Sequence, residues 1–326
     1  MIIVSLLKCK FAGHYSLVFN VFKEQMIKAR KKSNSFSHII RKIILWILIV
    51  FFGSTLFFTL LYKFVPPPVT PLMIIRLFEQ KKAGKPLTLQ KRWVSLKDIS
   101  GYMPAAVITC EDQHFLTHHG FDIKAIKKAQ QHNARSKKKR GASTISQQTA
   151  KNVFLWPKRS WFRKGMEVYF TLLIEGIWGK KRIMEVYLNV IETGDGIYGV
   201  EKAAQHYFHK NAGTLTKREA ALIAVCLPNP LKMKPNKLTG YRLRRLSWAM
   251  RQINYFYPVE FDKKKRKETE KQFIKQYKSR PELPSEPDPM DEKPEEFLDE
   301  SPVLPGEVIE NIGEETETIE PDSLLK

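Results

Sequence analysis

The sequence predicts a mainly α-helical protein in which one helical domain follows a single membrane-spanning helix. Residues 43–62 form an uncharged apolar run near the N-terminus. Farther along, apolar residues recur at helical spacing in 166–178, 183–191 and 220–227, and the prolines of Pro228-Asn229-Pro230 end the last of these segments. No stretch of any length alternates apolar and polar residues as a half-buried strand does. The expected fold class is therefore mainly α.

The apolar run Ile43–Tyr62 is long enough to cross a bilayer. As a helix, its 20 residues span roughly 30 Å, the thickness of the hydrocarbon core. A core helix of a soluble domain rarely lacks polar residues on every face. A cleaved signal peptide has a shorter apolar run, followed by small residues. We therefore predict a transmembrane helix over residues 43–63.

The charge that flanks this helix predicts its orientation. Residues 1–42 carry nine Lys or Arg and one acidic residue, so the positive-inside rule places this basic arm in the cytoplasm and the rest of the chain outside. Met26 is a second candidate start of translation, because basic residues follow it closely and residues 1–25 form a poor signal sequence.

The formal net charge of +22 is distributed unevenly. Residues 281–326 hold 16 Asp and Glu against two Lys, a net charge of −14, which leaves +36 on residues 1–280. A body this basic is expected to lie against nucleic acid, anionic lipid or a phosphorylated substrate. Because the predicted topology places the domain outside the cell, nucleic acid is excluded as its usual partner.

Proline and charge mark the remaining boundaries. Pro66-Pro67-Pro68 and Pro71 are expected to stop any helix and to begin an extended connector. The acidic C-terminal region is rich in Pro and Glu, which predicts disorder. The expected segments are a connector over 64–94, the helical domain over 95–255, a basic stretch over 256–280 and an acidic tail over 281–326.

The three cysteines are Cys9, Cys110 and Cys226. Their odd number and the lack of metal-type spacing indicate neither a disulfide scaffold nor a zinc site. A Cys110–Cys226 disulfide is the alternative to buried thiols that behave as small apolar residues.

The stretch from Glu111 to Asp122 concentrates three carboxylates and three histidines within 12 residues, directly after the apolar segment Ala105–Ile108. A carboxylate at the end of an apolar segment can have its pKa raised by desolvation, which suits a general base. A polar helix end with capping acids is the structural alternative, and a zinc site formed by the histidines is a further one.

The stretch from Gly141 to Asn152 reads Gly-Ala-Ser-Thr-Ile-Ser-Gln-Gln-Thr-Ala-Lys-Asn and follows the basic run Lys137–Arg140. Hydroxyls at a helix start, two amides and a lysine are suitable donors to phosphate oxygens. A plain Ser or Thr cap accounts for one hydroxyl but not for the whole cluster.

A third stretch places Arg163 and Lys164 four and three residues before Glu167, so all three side chains can share one helical face. The alternative is a surface ion pair, which contributes little. Just upstream, residues 154–159 interleave large apolar residues with cations, a pattern typical of a segment at the membrane interface and also of an exposed turn.

Taken together, these stretches resemble the glycosyltransferase domain of the family 51 peptidoglycan glycosyltransferases, which polymerise cell-wall glycan. The resemblance covers roughly residues 90–255, about half of the chain. Each block alone is unspecific, whereas five in order behind a single span are specific. The blocks are Glu111–Asp122, Gly141–Asn152, Arg163–Glu167, Lys180–Asn189 and Gly194–Lys210.

The resemblance implies a lysozyme-like glycosyltransferase domain and a bacterial inner-membrane protein with one span and a periplasmic catalytic domain. It points to the monofunctional biosynthetic transglycosylase branch, because the 70 or so residues after Tyr255 leave no room for a transpeptidase domain. Its implied substrates are lipid II and the growing glycan strand. We expect the acidic tail to contact other proteins of wall synthesis.

The resemblance also implies roles for single residues. Glu111 is the expected general base, and Glu167 the second essential carboxylate. We expect Glu167 either to orient cations or to hold a divalent metal, Mg²⁺ or Mn²⁺, near the pyrophosphate. No other cofactor is expected. The cations expected to stabilise the leaving group are Lys151, Arg159, Arg163 and Lys164, and the hydrogen-bonding residues are Ser143, Gln147 and Gln148.

Two other functions compete with glycosyl transfer. A lysozyme-like lytic enzyme would share the fold and the catalytic glutamate, but hydrolysis of a neutral glycan does not need the cations between residues 141 and 164. A membrane-anchored scaffold that binds wall polymers would need only diffuse charge, not polar residues concentrated around Glu111 and Glu167.

Overall fold

The computed structural model describes residues 23–25, 37–135, 141–268 and 271. The chain divides into two compact units, residues 1–59 and 60–326. Helix α1, Ser37–Phe64, contains the predicted transmembrane segment, and it is the one described helix long and apolar enough to cross a membrane. Its apolar side chains between Ile39 and Phe58 are largely exposed.

The second unit is mainly helical, which confirms the predicted fold class. The three segments with helical spacing form α6, α7 and α9. The helices after α1 are α2 (Pro71–Lys82), α3 (Tyr102–Glu111), α4 (Ile123–Arg135), α5 (Ile145–Phe154), α6 (Trp161–Ile177), α7 (Gly179–Val190), α8 (Val200–Phe208), α9 (Lys217–Cys226) and α10 (Gly240–Phe256). The strands are β1 (Gln90–Lys91), β2 (Glu192–Gly194) and β3 (Ile197–Tyr198).

Helix α3 forms the centre of the core. Every residue from Met103 to Cys110 is buried, and α3 packs against α9 and α10. A second layer is formed by α5, which packs against α6 and α7. A helix that is apolar on all sides is stable only when other elements surround it. Glu111 is the last residue of this buried helix, so the packing around α3 fixes its position.

The segment predicted as an extended connector contains helix α2. Pro71 is the first residue of this helix, and the Thr70 side chain caps it by accepting from the Met73 N–H. Proline is well tolerated at the first helical position, because its missing N–H would have no intrahelical partner there. Leu72 and Met73 join the main core, so the packed domain begins before residue 95.

A small sheet with strand order β1-β3-β2 lies beside the helices. Gln90 and Lys91 of β1 pair in parallel with Ile197 and Tyr198 of β3, and β2 pairs antiparallel to β3. Strands of two or three residues are too short to show an alternating pattern, which is why the sequence did not predict them. The sheet brings Glu192 next to α2.

Asn189 fastens the chain that follows β1 to α7. Its Oδ1 accepts from the Val94 N–H, and its Nδ2 donates to the carbonyl oxygens of Val94 and Glu185, each at 2.8 Å. The Asn189 side chain therefore satisfies both backbone hydrogen-bonding groups of Val94, as a neighbouring strand would.

Cys110 and Cys226 are buried thiols that are not joined by a disulfide, so the disulfide alternative is wrong. Burial raises the pKa of the Cys226 thiol to about 11. Cys9, Met26, the basic run Lys137–Arg140 and the acidic tail 281–326 lie outside the described residues, as do most of the N-terminal arm and the end of the basic stretch.

Candidate active site

Glu111 is the last residue of α3 and lines a cavity of about 570 Å³. Its Oε2 accepts a 2.7 Å hydrogen bond from Gln148 Nε2. Its Oε1 is buried and has no hydrogen-bond partner among the described residues. Burial raises the pKa of Glu111, and the bond from Gln148 and the charges of Arg245 and Lys151 oppose this shift. A desolvated carboxylate with one oxygen unoccupied is suited to accepting a proton.

The start of α5 is fixed by a capping box. The Thr144 side chain accepts from the Gln147 N–H, and the Gln147 side chain accepts from the Thr144 N–H at 3.1 Å. Asp112 adds a 3.0 Å bond from the Ile145 N–H. Gln148 and Lys151, which are three residues apart on this helix, therefore line the cavity together.

Gln147 differs from its predicted role. It is buried, and it does not line the cavity. The third position of a capping box points its side chain back toward the helix start, so Gln147 stabilises α5 instead of facing a substrate.

Tyr187 fixes the orientation of Gln148. Its hydroxyl donates to Gln148 Oε1 at 3.2 Å, which leaves Nε2 to face Glu111. Tyr187 is fully buried in α7, and burial raises the pKa of its hydroxyl well above the usual value. The sequence analysis assigned no role to this tyrosine, although it lies inside the resembling block Lys180–Asn189.

Lys151 lies in the field of three carboxylates, Glu167, Glu111 and Glu192. Burial lowers the pKa of its ammonium group, and the negative charges of Glu167 and Glu111 oppose this shift. Among the described residues, its Nζ has no hydrogen-bond or ion-pair partner. This cation therefore faces the cavity without a fixed protein partner.

Glu167 lies on α6 with two cations. Its Oε2 accepts from Arg163 at 2.9 Å and its Oε1 from Lys164 at 2.5 Å. The Glu167 side chain is only 5% exposed. Because both carboxylate oxygens are occupied by cations, the group fits a role in holding Arg163 and Lys164 better than a role as a metal ligand.

The two remaining predicted residues, Ser143 and Arg159, differ in their position relative to the cavity. Ser143 lines the cavity just before α5. Arg159 is exposed in the turn before α6 and is not among the residues that line the cavity. Of the nine predicted residues, the structure places Glu111, Ser143, Gln148 and Lys151 on the cavity, and Arg163, Lys164 and Glu167 as a cluster on the neighbouring helix.

Two of the three histidines of the first block are bound to aspartates. His118 Nε2 lies 2.9 Å from Asp112 Oδ2, and its Nδ1 accepts from the Gly120 N–H. His114 Nδ1 lies 2.7 Å from Asp122. The His118–Asp112 pair supports the loop that leads from Glu111 to α4, and Asp112 also holds the start of α5.

Several residues on the cavity were missed by the sequence analysis. Arg245 of α10 donates to the Cys110 carbonyl oxygen at 3.1 Å. Arg76 of α2 and Glu192 of β2 form a bidentate ion pair with distances of 2.8 and 3.1 Å. Arg76 and Glu192 are 116 residues apart, and no local pattern relates positions at that distance. Helix α10 contains four arginines, so no local signal in the sequence singled out Arg245.

A helical domain with a desolvated glutamate and a buried cation on one cavity is the arrangement expected of an enzyme that acts on glycosidic bonds and stabilises an anionic group. Comparison with known proteins gives the class. Residues 80–254 match the family model described as Transglycosylase. The chain therefore belongs to the transglycosylase family.

Three relatives bear the name biosynthetic peptidoglycan transglycosylase. The protein from Bacteroides thetaiotaomicron is 50% identical over 228 residues, which cover 69% of this chain and 92% of the relative. The protein from Bdellovibrio bacteriovorus is 51% identical over 206 residues, 63% of this chain and 82% of the relative. The protein from Caulobacter vibrioides is 48% identical over 214 residues, which cover 65% of this chain and 91% of the relative.

Proposed function

We propose that this protein is a peptidoglycan glycosyltransferase that polymerises lipid II into β-1,4-linked glycan strands and releases undecaprenyl pyrophosphate. The observation that carries the proposal is the buried Oε1 of Glu111 on a cavity that also holds the cation Lys151, both without a hydrogen-bond partner in the part of the chain that the structure describes. Family membership and the names of the relatives support the substrate class.

Glu111 acts as the general base. It takes the proton from the 4-hydroxyl of the N-acetylglucosamine of the acceptor, and that oxygen attacks C1 of the N-acetylmuramic acid of the donor. The bond from C1 to the pyrophosphate oxygen breaks, and its electron pair leaves with undecaprenyl pyrophosphate. Attack opposite to the leaving group converts an α-linked pyrophosphate into a β-1,4 bond, so the transfer inverts configuration.

Cations take the place of a general acid. Pyrophosphate leaves as an anion, so it needs charge stabilisation more than protonation. Lys151 supplies a positive charge on the cavity, and Arg163 and Lys164 are held as a pair by Glu167. Ser143 and Gln148 supply hydrogen bonds from the cavity wall, and Arg159 contributes charge from the exposed turn.

The enzyme works at the membrane that holds its lipid-linked substrate. Helix α1 serves as a single-pass anchor, with residues 1–42 in the cytoplasm and the catalytic domain in the periplasm. At the start of α6, Trp161 and Phe162 are 93% and 71% exposed beside Lys158 and Arg159. Exposed aromatic rings among cations suit the headgroup region of a bilayer.

The test is incubation of the detergent-solubilised full chain with labelled lipid II, with products resolved by size. Wild type is expected to give growing glycan strands and Glu111→Gln none. Glu219→Gln, which changes a glutamate in the capping box of α9, is the matched control and is expected to polymerise normally. Absence of polymer from folded wild type, or shortening of preformed glycan instead, would refute the proposal.

A further inference from the structure

One wall of the cavity carries a carboxylate that the proposed transfer does not use. Glu192 of β2 is 7% exposed and lines this wall with Arg76. Two parallel hydrogen bonds from the Arg76 guanidinium hold its carboxylate in one orientation. A carboxylate offers about four acceptor positions, so two positions remain after both bonds to Arg76 are made.

A second polar group on the same cavity has no partner. Asn152 follows Lys151 on α5, is 3% exposed and lines the cavity. Its Nδ2 is buried without a hydrogen-bond partner among the described residues. A buried amide N–H without a partner destabilises the fold, so a group retained in this state on a cavity wall is suited to donating to a ligand.

Stability alone does not account for the Arg76–Glu192 pair. A buried ion pair contributes little net stability compared with apolar residues of similar size. The solvent side of Arg76 is held separately by Glu79, at 2.6 Å. Because Arg76 neutralises Glu192, this wall offers no net positive charge to a pyrophosphate, which leaves the uncharged sugar part of the substrate as the group that fits there.

We propose that Glu192 and Asn152 bind the acetamido group of an N-acetylated sugar of the substrate, and that Arg76 is a positioning residue for Glu192. An acetamido group carries one N–H donor and one carbonyl acceptor. The Glu192 carboxylate accepts from the N–H, and Asn152 Nδ2 donates to the carbonyl oxygen. This assignment rests on the proposed function, because it takes the sugars of lipid II as the ligand.

The test compares lipid II with two analogues in which a hydroxyl replaces the acetamido group of one sugar or of the other. Binding is measured on the full chain in detergent with Glu111→Gln as the background, so that no turnover occurs. The background is expected to bind lipid II at least about 10-fold more tightly than one of the analogues, as two lost hydrogen bonds imply.

Adding Asn152→Ala or Glu192→Gln to the background is expected to reduce this preference to about 2-fold. Arg76→Lys keeps the charge but loses the bidentate geometry, and it is expected to reduce the preference partly. Glu79→Gln removes the solvent-side contact of Arg76 and is expected to leave the preference unchanged.

A merely structural role would weaken the binding of lipid II and both analogues by the same factor and leave their ratio intact. That outcome, or a background that binds all three ligands equally, would overturn the inference. Failure of the proposed function would appear differently, as absence of polymer from wild type or absence of any lipid II binding.

Discussion

The Gln148 side-chain amide donates a 2.7 Å hydrogen bond to Oε2 of Glu111 and leaves Oε1 of the same carboxylate without a partner among the described residues. One oxygen thus fixes the orientation of the carboxylate, and the other is available to a proton donor in the cavity. Because Gln148 is itself held by Tyr187, the Glu111 carboxylate is oriented by a chain of hydrogen bonds that crosses from α7 through α5 to α3.

Glu111→Gln is expected to abolish polymerisation and to stabilise the fold. Burial raises the pKa of Glu111 in the folded state, so the folded state disfavours the ionised form. The favourable contribution of this group is complete below the unfolded pKa and is lost as the pH rises through the folded pKa. At neutral pH, the ionised Glu111 side chain therefore destabilises the folded state, and a permanently neutral isostere removes this destabilisation. Thermal unfolding of Glu111→Gln should give a higher midpoint than wild type, and a lower midpoint would contradict the burial argument.

The pH dependence of kcat/KM is expected to be bell-shaped. The rising limb reports loss of the proton from Glu111 and should lie above the usual carboxyl range. The falling limb reports loss of charge from Lys151, whose pKa burial lowers. Lys151→Arg keeps the cation at all accessible pH values, so this variant should move the falling limb upward. An unmoved falling limb would assign it to another group.

Tyr187→Phe is expected to lower kcat about fivefold with KM nearly unchanged. The substitution removes one hydrogen bond, worth about 1 kcal/mol, and releases the amide that orients Glu111. Tyr207→Phe is the matched control, because its hydroxyl donates to the backbone oxygen of Thr193. Steady-state kinetics of both variants would show the difference, and equal kcat values for the two would argue against the oriented base.

Glu167→Gln is expected to slow transfer about 100-fold, as loss of one preorganised electrostatic contact commonly does. The change removes the charge that holds Arg163 and Lys164. If Glu167 acts through these cations, Lys164→Met should slow transfer much less in the Glu167→Gln background than in wild type. Single-turnover rates of the four proteins measure this coupling, and strict additivity would indicate a separate role for Glu167.

Asn189→Ala is expected to destabilise the domain by about 2–4 kcal/mol, because it leaves both backbone groups of Val94 without their partner. Asn211→Ala, at an exposed position, is the matched control and should change the free energy of unfolding little. Denaturant unfolding followed by fluorescence measures both. A small effect of Asn189→Ala would show that water replaces the side chain at Val94.

The sequence alone predicts the mainly helical fold, the apolar N-terminal helix and the two clusters around Glu111 and Glu167. These features are encoded locally: helical periodicity, an uncharged run, and polar residues within one or two helical turns. Its expectation for residues 64–94 was wrong in part, because proline stops a helix from within but begins one at its first position, as Pro71 does.

Which side chains line the cavity could be determined from the tertiary structure alone. Gln147 and Gln148 are neighbours in sequence, yet the capping box turns the first away and the helix directs the second toward Glu111. Glu192 reaches Arg76 across 116 residues through strands too short to be predicted. Local sequence specifies helices through nearest-neighbour physics, whereas the composition of a cavity depends on packing between distant elements, which no local pattern records.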